Sequence, residues 1–159
     1  IPDPDEEQDT ENEEIPDAIK WDGDSAVRFK ADKAEFIDRV AVEEEFKPVA
    51  EYLKANPKES IYIFGMTATV PGGGTGIELS EERANACKEI LTEMGVQESR
   101  MTTVGLGQME NPLRAIDIDA NGAQIEESAQ ENRAVFVMKD GAKQAEILLG
   151  SLSGQAKKR

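Results

Sequence analysis

Arg83 is the side chain whose type and setting most invite chemistry. It follows Ser80-Glu81-Glu82, where Ser80 suits a helix N-cap and the two acids complement the helix dipole. A guanidinium in the first turn of a helix, beside free backbone N–H groups, can take a carboxylate through two parallel hydrogen bonds. The competing reading is a solvated helix residue paired with Glu82, and the residues alone leave both open. Arg133, just before an apolar run, either closes the same pocket or ends a strand at the sheet rim. The run Asp117-x-Asp119-x-Asn121-Gly122 begins like a calcium loop, but Ser128 holds the twelfth position and Glu127 comes one place early. A turn with Asn121-Gly122 at its tip accounts for it better. Gly72-Gly73-Gly74 could cradle an anion, yet no Lys-Ser/Thr pair follows, so it is read as a flexible loop. Cys87 falls on an apolar helical stripe, which marks a buried inert thiol rather than a nucleophile. Met66, Met94 and Met101 are taken as core fillers.

The chain contains no histidine, which removes most proton-shuttling triads and most zinc sites. Its acids and serines show no paired arrangement at telling spacing. No enzyme, catalytic residue, metal or cofactor is therefore expected.

Charge narrows the partners. The net charge is −15, and residues 1–24 hold eleven acids against one base, Lys20. Phosphate backbones and anionic membrane surfaces repel such a chain, so nucleic acid is a poor candidate partner. No apolar run approaches the roughly 20 residues that span a bilayer. The first residue is Ile1 rather than Met, which fits a mature or trimmed chain whose missing start carried an export signal or anchor. The lone cysteine rules out an internal disulfide and does not decide the compartment.

The elements that would position Arg83 follow from apolar spacing. Residues 1–24 are acidic and poor in large apolar groups, so they are read as a flexible linker, with Trp21 docking on the domain. Val27 and Phe29 alternate with polar neighbours and predict a first strand. Val42, Phe46, Val49, Ala50 and Leu53 share a helix face, which Asn56-Pro57 ends. Ile61 to Phe64, apolar on both faces, predicts a central strand. Ala84, Cys87, Leu91 and Met94 stripe a second helix that stops at Gly95. Strands follow at about Met101–Leu106 and Ala134–Met138, separated by a long loop, Gly107 to Glu131. The order β-α-β-α-β-loop-β predicts an α/β two-layer sandwich, a mixed four-stranded sheet with two helices on one face. The domain is drawn at 25–140, and 141–159 is read as a C-terminal tail.

Phe64 to Ala84 read FGMTATVPGGGTGIELSEERA, and this stretch resembles the OmpA-like peptidoglycan-binding domain family. The family pattern is a strand ending in G-H-T-D, a Gly-containing loop, then N-x-x-L-S-x-x-R-A opening a helix. Gly65, Thr67, Leu79, Ser80, Arg83 and Ala84 match it, and Gly95-Val96, Gly105-Leu106-Gly107, Asn111-Pro112 and Asn132-Arg133 agree in order and spacing. The family's His falls on Met66, its Asp on Ala68 and its Asn on Gly76; the second Arg of its N-R-R-V is Ala134.

The resemblance implies a non-catalytic, extracytoplasmic envelope module, periplasmic or on the cell-wall side and tethered to a membrane. Its implied ligand is the diaminopimelate end of the peptidoglycan stem peptide, and other envelope proteins are further implied partners. Thr67, Ala68, Gly76, Leu79, Arg83, Asn132 and Arg133 are the implied ligand-binding residues, with Arg83 on the carboxylate. Ala68 cannot pair with the ligand's ammonium, which costs on the order of 2–5 kcal/mol. Weak binding is one expectation; the alternative is a ligand-deficient scaffold or protein-interaction domain. Glu78 or Asp117 would have to compensate.

Overall fold

The computed structural model describes residues 15–22, 25–30, 33–69, 76–108, 111 and 113–157, with side chains up to residue 150. The acidic residues 1–14 and the Gly72–Gly74 loop lie outside the described residues. Four strands form one mixed sheet: β1 (Ala18–Trp21), β2 (Ile61–Met66), β3 (Met101–Gly107) and β4 (Val135–Lys139), in the order β1-β4-β2-β3. Strand β4 is antiparallel to both β1 and β2, whereas β2 and β3 run parallel. The helices are α1 (Arg39–Ala55), α2 (Ile77–Glu93), the short α3 (Glu126–Asn132) and α4 (Lys143–Lys157).

The expected α/β architecture is present, with α1 and α2 sharing one face of the sheet. Val42, Phe46, Val49 and Leu53 of α1 and Ala84, Cys87, Ile90 and Leu91 of α2 close over Ile61, Ile63, Val135 and Val137. Three features differ from the sequence expectation. One is the short α3 at the end of the stretch expected as a long loop, Gly107 to Glu131. The first strand is Ala18–Trp21, inside the stretch read as linker. The Val27–Phe29 segment forms only an isolated bridge, Phe29 to Phe36. The pairing decides this: Trp21 lies opposite Val135 and its ring meets Phe46 edge-on at 4.8 Å, burying the largest apolar side chain of the region.

The stretch read as a tail forms α4. Strands β2 and β4 are apolar on both faces, so a two-layer packing would leave Phe64, Met66, Phe136 and Met138 in water. Ala142, Ala145 and Leu148 cover them in a second cluster. Among the described residues, no helix is long and apolar enough to cross a membrane.

Helix α1 begins at Asp38, whose carboxylate accepts from the Ala41 N–H at 3.2 Å. Its far end is closed from a distance. Arg100 donates to the carbonyls of Leu53 (2.6 Å), Asn56 (2.7 Å) and Glu59 (3.0 Å). These include carbonyls that a helix end leaves without an internal partner. Arg100→Ala is expected to cost about 2–3 kcal/mol, since three bonds from one charged group are lost together. Urea unfolding measures it, and a loss under about 0.5 kcal/mol would show that water replaces the guanidinium freely.

Candidate functional site

The candidate site lies where β2 ends and α2 begins. Helix α2 starts at Ile77, earlier than the Ser80 cap predicts. Its N-cap is Gly76, in the left-handed conformation (φ 75°), and no side chain caps it. A Cβ at Gly76 would fall 2.2 Å from Thr67 Oγ1, so Thr67 packs directly against the turn into the helix. Ser80 sits inside the first turn instead; its hydroxyl donates to the Ile77 carbonyl and accepts from the Gly107 N–H at 2.9 Å. The earlier start moves Arg83 into the second turn.

Thr67 and Ala68 leave β2 as buried residues, 6% and 5% exposed. Thr67 Oγ1 is buried and lacks a hydrogen-bond partner. Buried hydroxyls nearly always have one, so this group stands out at the junction of β2 and α2.

Arg83 is 9% exposed. Its Nε donates to the Lys33 carbonyl at 3.0 Å and Nη2 to the Lys30 carbonyl at 3.4 Å, and the guanidinium carbon stands 5.0 Å over the Phe29 ring. The Phe29–Phe36 segment, with its rings stacked at 4.8 Å, thus cradles the planar cation. Leu79 is half-buried on the same helix, and Glu78 is exposed in its first turn.

Two loop residues brace the strand end. The Arg114 guanidinium donates to the Thr67 carbonyl (2.8 Å), the Gly107 carbonyl (3.2 Å) and Thr69 Oγ1 (2.8 Å), and it pairs with Asp117 at 3.4 Å. Asp117 in turn accepts from the Thr69 N–H at 2.7 Å. Both side chains are almost fully buried, 7% and 4% exposed. Burial pushes the Asp117 pKa up. The Thr69 N–H and hydroxyl, Asn132 and the Arg114 charge outweigh it and hold the carboxyl below its ordinary value.

Thr67 therefore lies against Gly76, with Ala68 next to it in the chain. Asn132 and Arg133 serve other partners. Asn132, fully buried, exchanges hydrogen bonds with the Ala115 backbone at 2.8 and 2.9 Å. Arg133 reaches the side chains of Glu126 at 3.0 Å, Gln130, and Gln124 at 3.4 Å.

Sequence reasoning missed Arg114 altogether. An Arg and an Asp three residues apart were the available signal, but in a segment without helical period such spacing carries little weight. Asp119 caps a turn, accepting from the Asn121 and Ala123 N–H groups. No cluster of three metal ligands occurs among the described residues. Cys87 is fully buried, and burial drives its pKa well above that of an ordinary thiol. The nucleophilic thiolate is correspondingly suppressed.

The model of the OmpA family matches residues 28–125, which take in β2, α2, β3 and the bracing loop. The chain belongs to the OmpA family. Among curated proteins it is 34% identical over 90 residues to the probable lipoprotein YiaD of Escherichia coli (strain K12), a match covering 57% of this chain and 38% of that protein. The matched segment is thus well under half of that relative's length. Among solved structures, the periplasmic domain of Helicobacter pylori MotB superimposes with a TM-score of 0.57 at 18% identity, covering 89% of this chain and 88% of that one. The peptidoglycan-associated lipoprotein of Burkholderia pseudomallei gives 0.50 at 22% identity, covering 78% and 90%. At these identities the two structures establish a shared fold.

Proposed function

We propose that this chain is a non-catalytic module of the cell envelope that binds peptidoglycan weakly, through a carboxylate of the stem peptide. The observation that carries this reading is the unpartnered Thr67 hydroxyl, buried against the uncapped start of α2. A buried hydroxyl without a protein partner calls for one that water or a ligand supplies. Arg83, one turn further along α2, supplies the positive charge that a carboxylate needs. Leu79, Asn132 and Arg133 belong to the surroundings of the site in this reading. Membership of the OmpA family and similarity to a peptidoglycan-associated lipoprotein support the ligand class. The module works outside the cytoplasm and is tethered to a membrane. Because Ala18–Trp21 and the helix from Lys143 pack on the sheet, the domain extends beyond the 25–140 expected from sequence. The linker role falls to the residues ahead of β1.

Co-sedimentation with purified sacculi tests this. The wild-type chain is expected in the pellet and Arg83→Ala in the supernatant, with both variants showing the same circular dichroism spectrum. If the wild type stays in solution, the reading is lost.

A second reading has an observation of its own. Ala68 presents a buried methyl at the site, and backbone carbonyls of Lys30 and Lys33 already engage Arg83. The domain would then be a scaffold for other envelope proteins. Ala68→Asp separates the two: stem-peptide binding that appears only in the variant identifies a degenerate binder, whereas wild-type binding identifies a working site.

A further inference from the structure

Away from the β2–α2 junction, we propose that the outer edge of β3 takes an extended, basic segment of a partner protein as an added strand. The sheet order gives β3 one neighbour, β2. The backbone N–H and C=O groups on its other side therefore have no strand partner among the described residues. Natural sheets blunt such edges with charge, proline or shortness. The opposite edge follows that rule, since β1 is four residues long and carries the exposed Lys20. Strand β3 does not. Met101–Gly107 reads MTTVGLG, seven residues with neither a charge nor a proline.

The surroundings of the edge specify its occupant. On one face α2 flanks it: the Thr103 hydroxyl donates to Asn85 Oδ1 at 2.7 Å, and Glu81 stands directly beside Gly105. Glu78, Glu81 and Glu89 follow helical spacing along that flank and are exposed, against one base, Lys88. On the other face Val104 and Tyr62 are half-buried neighbours in the second apolar cluster. An incoming strand points alternate side chains at these two faces. Lys or Arg at every second position meets the acids, and β-branched residues between them meet Val104 and Tyr62. A second copy of the chain fits less well, because two-fold pairing of β3 with itself sets one acidic flank against the other.

Amide hydrogen exchange, read by NMR on the whole chain, tests this with a synthetic peptide of alternating Lys and Val. At about 1 mM peptide, outward-facing amides between Thr102 and Leu106 are expected to exchange about 10-fold more slowly. A Glu-Val peptide should protect them at least about 3-fold less, and Glu81→Lys, at an exposed position, should narrow or reverse that order. The Lys-Val peptide methylated on every backbone nitrogen keeps its charge but cannot form the ladder, so it should protect nothing. No slowing, slowing confined to other residues, or equal protection by the Glu-Val or methylated peptide overturns the proposal. A dimer in analytical ultracentrifugation with these amides already protected gives the edge to a second copy, and overturns it too. None of these outcomes decides sacculus binding, which Arg83→Ala tests separately.

Discussion

Arg114→Ala is expected to lower the unfolding free energy by about 3–5 kcal/mol, because it strands a buried carboxylate without its counter-charge. The lost bonds to the Thr67 and Gly107 carbonyls add to this, since both hold the β2 end to the loop and to β3. The pH dependence identifies the cause. The Asp117 pKa is held below its ordinary value, so its stabilising contribution is complete above the usual carboxylate pKa of about 3.9 and is lost as pH falls through the folded value. In Arg114→Ala the carboxyl loses its cation but keeps the Thr69 and Asn132 hydrogen bonds, so its pKa rises from the wild-type position and acid costs the variant less stability than the wild type. The gap between the two should narrow below about pH 4. Urea unfolding at pH 7 and pH 3.5 measures it. The double variant Arg114→Met/Asp117→Asn should recover about 1–2 kcal/mol, since the carboxamide still accepts from Thr69 without a charge to compensate. A single-variant loss below about 1 kcal/mol would show that the pair does not hold the strand end.

Gly65→Ala should cost about 3 kcal/mol or more. A Cβ there would lie 2.3 Å from the Ser80 carbonyl oxygen, which is backbone and cannot swing aside. Helix α2 cannot simply lift, because it presses equally on β3: a Cβ at Gly105 would meet the Ile77 carbonyl oxygen at 2.5 Å. Overpacking at one contact therefore separates the helix from both parallel strands. The melting temperature should fall by about 10 °C, read by circular dichroism. A fall under about 2 °C would mean that α2 shifts as a rigid body at little cost. Because Gly76 and Arg83 ride on this helix, the variant should also weaken sacculus binding beyond what its unfolded fraction explains.

Local pattern reached a good part of this molecule. The apolar face of α1, the doubly apolar run of β2, the stripe through Ala84, Cys87 and Leu91, and the strands near Met101 and Val135 all lie where spacing predicts them. The quoted motif pieces were enough to reach the family. Of the residues the resemblance grouped, Thr67 and Gly76 lie against each other, with Ala68 next along the chain. Spacing placed the start of α2 too late, because the left-handed turn at Gly76 opens the helix without a capping side chain.

Periodicity and turn residues belong to the chain itself, so the sequence alone determined the central strands, the two main helices and the family. Pairing across long separations is decided only when the chain closes on itself. Ala18–Trp21 becomes a strand because β4 offers it an edge more than a hundred residues away. Lys143–Lys157 becomes a packed helix because β2 and β4 have a second apolar face to cover, although Ala142, Ala145, Leu148 and Leu149 already hint at its stripe. Arg114 and Asp117 find each other in a loop with no period to announce them, and Arg83 meets the Phe29–Phe36 segment fifty residues upstream. Each of these contacts depends on burial that three dimensions create, and no local spacing encodes it.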